Sequence, residues 1–256
     1  MEIVNLEEAK REFIEFVDKY DLTMENIKLK KYHSLRVMEV AAKIAKKENF
    51  NAEEIEIATL IGLLHDIARF KQYTEYKTFK DAESFDHGDE AVKILEKDNY
   101  LRKFIQNDKY DEIIKLAIKN HNKFVIEDGL TEEQNKFCKI IRDADKLDIF
   151  YIAAEILWQG QEEKMESSIM NPEIRETINK KILMENSKYK KISYVDSIIK
   201  ILGFIFDINF KSSFEILKDE KYVDRIVNRF KFKDEYTQRE ILEIGKQMNQ
   251  YILSKI

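Results

Sequence analysis

A chain of 256 residues, 44% hydrophobic and 36% charged, is long enough for a sizeable core and too apolar to be disordered. Its 44 Lys+Arg against 49 Asp+Glu give a net charge of −5, without the basic excess that binding a nucleic-acid polymer demands. Six Gly, one Pro and one Cys exclude collagen-like and disulfide-stapled chains and argue against a strand-rich fold, whose turns consume Gly and Pro. The lone Cys138 has no internal disulfide partner, which points to a reducing compartment. The N-terminal MEIVNLEEAKREF carries no apolar stretch of the signal-peptide kind, and the longest apolar run, Ile57–Leu64, is too short to span a bilayer. A cytoplasmic protein without a membrane partner is expected.

The predicted elements are all helical. Leu6, Ala9, Phe13, Phe16, Val17 and Tyr20 form one stripe of a helix over 6–20. A second helix runs from about Tyr32 to Lys47. Asn51 and Glu54 have capping-box spacing and open a third, whose later half, IATLIGLL, is apolar all round, as in a helix buried among others. Residues 71–87 show no period and read as a long loop. Helices resume at 88–97 and 110–121, and Thr131 with Gln134 opens a long one ending near Gln159. Asn171-Pro172 starts a helix over 172–186, and further helices fill 194–206, 210–218, 221–230 and 234–255. The expected architecture is all-α: a helical core over 1–160 with a C-terminal helical extension, 161–256, packed on it.

The four histidines, His33, His65, His87 and His121, sit at odd places for purely structural residues. His65-Asp66 follows directly on the all-apolar run, where an unpaired carboxylate costs several kcal/mol (about 2–5). His33 shares a helix face with Val37 and Val40. His121 continues the stripe Ile113, Ile114, Ala117, Ile118. In FCKIIRDADKLDIFYIA an advance of ~100° per residue puts Asp145 and Asp148 inward, and Asp143 with Lys146 on the opposite side. Taken singly, each inward group has an ordinary explanation as a hydrogen-bonded core residue, a cap or a salt-bridge partner. Jointly, a divalent cation satisfies them together, because imidazole nitrogens and carboxylate oxygens ligate Mn, Fe, Co, Ni and Zn.

The order His33 in YHSLRV, His65-Asp66 in LLHDIARF, His87 in FDHGDE, His121 in IKNHN and Asp145 in RDADKLD resembles the HD-domain superfamily of metal-dependent phosphohydrolases. The resemblance covers roughly 28–155. LLHDIARF followed by TFKDAESFDH is also similar to a subgroup of bacterial HD proteins; Ala68, where Gly is more usual, is a small-for-small departure. The resemblance implies an all-α fold and a first metal site of His33, His65, Asp66 and Asp145. His87 and His121 would complete a second site, with Asp66 bridging. Members with only the first four ligands hold one metal; all six here imply two ions, with Mn, Fe, Co, Ni, Zn and Mg not distinguished. Asp148 would either orient a ligand or water, or cap a neighbouring helix.

Such a site would activate water at Asp66 and His65 for attack on a phosphomonoester or phosphodiester. Arg36, one turn from His33, and Arg69, one turn from His65-Asp66, are the cations expected to hold phosphate, with Arg69 close enough to join the catalytic group. The implied partner is a nucleotide or another small phosphorylated metabolite. Tyr73, Tyr76, Phe79 and Phe85 either stack on a base or pack the 71–87 segment onto the core. The runs Lys28–Lys31 and Lys188–Lys191 read as solvated faces. Two rival readings use the same ligands: an HD-type di-iron oxygenase, and a non-catalytic HD regulatory module.

Overall fold

The computed structural model describes residues 3–185, 188–189 and 191–256. They form an all-α chain with no strand among them. Two compact units divide it, Met1–Asp145 and Lys146–Ile256, with the boundary inside one helix.

The first unit opens with α1 (Leu6–Val17), capped by the Asn5 side chain, which accepts from the Glu8 N–H. The helix stops at Asp18, before Tyr20, but Tyr20 still packs on Phe16 and Phe70. α2 spans Glu25–Lys47, a start seven residues earlier than expected, because the lysines around buried Ile27 hide its stripe. α3 (Ala52–Leu64) carries the anticipated capping box, with both Asn51 and Glu54 bonds formed. Every residue from Ile57 to Leu64 is buried. α2 and α3 approach closely at Gly62, where a Cβ would lie 2.9 Å from Met38 Cα. That absent side chain lets the two helices bring His33 and His65 together.

The segment expected as a long loop is mostly structured. α4 (Ala68–Tyr76) follows His65-Asp66 after a single turn, and a short 3-10 turn covers Asp81–Glu83. Only Ala68, Phe70 and Gln72 of α4 are buried, too few for a hydrophobic period, and Lys77 ends it in the left-handed conformation at φ 57°. α5 (His87–Glu96), α6 (Asp111–Asn120) and α7 (Glu132–Glu155) complete the positioning scaffold. Thr131 and Gln134 make both bonds of their box. α7 ends at Glu155, short of the expected Gln159.

The second unit continues from α7 through α8 (Glu162–Glu166), α9 (Pro172–Asn179), α10 (Tyr194–Gly203), α11 (Lys211–Asp219), α12 (Tyr222–Val227) and α13 (Glu235–Leu253). α8 has no sequence signal beyond one buried residue, Met165. Asn171 caps α9 and Pro172 sits in its first turn, as expected, but α9 stops at Asn179 rather than near 186. Asn186, the expected end of that helix, and Lys190, within the 188–191 lysine run, lie outside the described residues, as do Met1 and Glu2. No described helix is long and apolar enough to cross a membrane.

Candidate metal centre

The six expected ligands meet in the first unit. His33 comes from the middle of α2, His65 and Asp66 from the turn closing α3, His87 from the first turn of α5, His121 from the end of α6 and Asp145 from α7. The four imidazoles and Asp66 are each at most 4% exposed. Asp66 faces two clusters. Its Oδ2 lies 3.4 Å from His33 Nε2 and 3.5 Å from His65 Nε2. Its Oδ1 lies 3.5 Å from both His87 Nε2 and His121 Nε2. Asp145 Oδ1 joins the first cluster, 3.1 Å from His33 Nε2 and 3.7 Å from His65 Nε2. His33, His65 and Asp66, and again Asp66, His87 and His121, offer ligand atoms close enough together to share an ion.

The ring orientations are set from behind. A carbonyl oxygen can only accept, so His65 Nδ1–H donates to Gly62 O at 2.8 Å and His121 Nδ1–H to Ile118 O at 2.6 Å. His87 Nδ1–H donates to the Asp81 carboxylate at 2.6 Å. In the neutral rings the Nε2 atoms therefore point lone pairs inward. His65 Nε2 is 3.3 Å from His33 Nε2, and His87 Nε2 is 3.0 Å from His121 Nε2. Where His87 and His121 face each other as neutral rings, a cation between the two lone pairs is the stabilising occupant, and a donor set of imidazole and carboxylate fits a divalent transition metal.

The electrostatics differ between the two pairs. Burial pushes His87 down to about 4 and also lowers His121, so both rest as neutral donors. Burial would lower His65 too, but Asp66 and Asp145 outweigh it and raise that ring. Burial opposes charge on Asp66, yet the Lys30 ammonium and His65 hold its carboxyl well below the usual range. His33 and His65 overcome burial in the same way at Asp145.

Several residues that build the site were not singled out from the sequence. Lys30, placed in a solvated run, reaches inward, with Nζ 2.6 Å from Asp66 Oδ2. Its signal was its place one turn before His33. Asp81 aims His87 and is itself held by Gln72 and Asn122. Buried Gln72 also donates to Ser84 Oγ and Phe85 O, fixing the connection after α4. Arg142, 2% exposed, donates through Nη1 to the carbonyls of Asn120 and Lys123, at 3.1 and 2.5 Å, and so clamps the chain on either side of His121.

Of the expected phosphate contacts, Arg36 is half-buried on α2. Arg69 lies beside the cluster, its Nε 3.4 Å from Asp66 Oδ1. Its Nη1 is committed to Gln72 Oε1, Phe79 O and Asp81 Oδ1. Tyr73 stacks against Phe79, and Tyr76 meets Phe85 edge-on. Asp148 is buried. Asp143 and Lys146 were expected on an outward side, but both are buried; α7 is enclosed around most of its circumference, so its wheel has no solvent face there. Lys146 Nζ pairs with Asp207 at 2.7 Å.

A helical domain that gathers four histidines and two aspartates, with Asp66 facing both histidine pairs, offers buried ligand atoms that could hold divalent cations. The family model of the HD domain matches residues 31–149, so the chain carries an HD domain over that span; proteins of the HD-domain superfamily are generally metal-dependent phosphohydrolases. No curated protein and no solved structure matches the chain.

Proposed function

We propose that this protein is a phosphohydrolase that uses two divalent cations to hydrolyse a phosphomonoester or phosphodiester of a nucleotide or small phosphorylated metabolite. The observation that carries the reading is the orientation of Asp66, with one oxygen toward the His33/His65 pair and the other toward the His87/His121 pair. Cations held there supply Lewis acidity, bringing the pKa of water near neutrality and neutralising phosphoryl charge. His33, His65, Asp66 and Asp145 would hold one cation, and Asp66, His87 and His121 would hold the other. Gly62 O, Ile118 O and Asp81 keep three of the imidazoles aimed, so little reorganisation accompanies the reaction. Arg69 has Nη1 engaged by Gln72, Phe79 and Asp81, and would reach phosphate through its other N–H groups. Arg36 is the second candidate.

The test is phosphate release from a panel of nucleotides and phosphosugars, with protein loaded with Mn²⁺, Co²⁺, Ni²⁺ or Mg²⁺. Release that disappears in Asp66→Ala supports the reading. Bound iron with oxygen consumption and no phosphate release would assign oxygenase chemistry instead. Flat activity with every metal would leave a binding module.

A further inference from the structure

Lys30 and Arg69 contact opposite oxygens of Asp66. Lys30 Nζ is 2.6 Å from Oδ2, and Arg69 Nε is 3.4 Å from Oδ1. Both cations also lie 5.6 Å from the centre of the Phe79 ring. Their freedom differs. The Arg69 guanidinium is fastened by three bonds from Nη1. The Lys30 side chain makes one polar contact, reaches in from the rim at 18% exposure, and is a flexible four-carbon stem. The oxygen it contacts is the one turned toward His33 and His65. An ammonium and a divalent cation at that oxygen repel each other, and the ammonium is the partner free to move.

We infer that Lys30 is a phosphate-binding residue of this site: its ammonium leaves Asp66 when a divalent cation is bound and takes up the phosphoryl oxygens of the substrate. The inference rests on the phosphohydrolase reading and adds to it the group that recognises the substrate's phosphate. In this scheme Lys30 trades one anionic partner for another, so its charge stays compensated in both states.

The experiment is calorimetric titration of Mn²⁺, and then of inorganic phosphate, into wild-type, Lys30→Gln, Lys30→Arg and Lys31→Gln proteins, with phosphate titrations at matched Mn²⁺ content. Lys31 pairs with Asp18 and serves as the control. Lys30→Gln should bind Mn²⁺ at least as tightly as wild type, because a competitor for Asp66 is gone. It should bind phosphate roughly ten- to hundredfold more weakly, the size of a lost charged hydrogen bond. Lys30→Arg should restore most of that loss, and Lys31→Gln should match wild type. Unchanged phosphate affinity in Lys30→Gln, loss of Mn²⁺ from it, or no restoration by Arg would each overturn the inference. Phosphate binding that depends on Lys30 in a protein that hydrolyses no member of the panel would support the residue's role and defeat the phosphohydrolase reading. Hydrolysis with no dependence on Lys30 would do the reverse.

Discussion

His87 Nε2 and His121 Nε2 face each other at 3.0 Å, each ring having already used its Nδ1 proton on a fixed acceptor. The same opposition recurs at 3.3 Å between His33 and His65, and Asp66 stands between the two pairs. A shared carboxylate couples the pairs: whatever removes it weakens both.

Asp66→Ala should therefore lower the content of both ions, whereas His121→Ala should lower one. Metal analysis of purified protein after equilibration with Mn²⁺ checks this directly. Loss of a single equivalent from Asp66→Ala would show that the carboxylate serves only one pair.

Asp145→Asn and Asp143→Asn should separate ligand from scaffold. Asp145 touches His33 and His65, so its amide variant should bind metal more weakly while folding normally. Asp143 is fully buried, so its amide should keep the metal and lose about 1–3 kcal/mol of stability. Urea unfolding beside metal titration reads both. Equal metal loss in the two would overturn the assignment.

Asp81→Asn should act on one half of the centre. It weakens the bond that aims His87, and loss of such a supporting carboxylate typically costs about 10–100-fold in metal affinity. The weaker of two Mn²⁺ binding steps should shift while the tighter stays put. A shift in both steps would mean that Asp81 supports the whole first unit.

Metal-free protein should lose stability as the pH falls from about 6.5 toward 4. His87 titrates at about 4 when folded against 6.5 in an ordinary imidazole, so across that window the unfolded chain binds the extra proton. His121 is displaced the same way. His65 is displaced upward and works in the opposite sense, its contribution fading as the pH rises through its raised pKa. The urea midpoint of chelator-treated protein, followed from pH 7 to pH 4.5, should fall more steeply for wild type than for His87→Gln. A steeper fall in the variant would contradict the buried neutral state of this ring.

Much of this was legible in the chain because its signals are local. Two side-chain caps, Asn51 with Glu54 and Thr131 with Gln134, and the all-apolar run before His65 mark helix starts and a buried helix without tertiary information. The ligands stand out for a related reason: polar groups on apolar stripes are costly unless something binds them. What stayed hidden depends on contacts between distant segments. α4 has three buried residues and no stripe, and is held by Gln72 bonding across its own loop. Lys30 looked like one of several surface lysines until α2 was laid beside the turn carrying Asp66. Asp143 was misplaced because a helical wheel assumes one wet side, and α7 offers none at that point.

The backing of the imidazoles sets how this centre can drift over generations. Main-chain oxygens orient His65 and His121, and no exchange of side chain deletes a peptide carbonyl. His87 depends instead on a removable carboxylate. A single substitution at Asp81 can therefore unfix the His87 ring while leaving the main-chain backing of His65 and His121 intact.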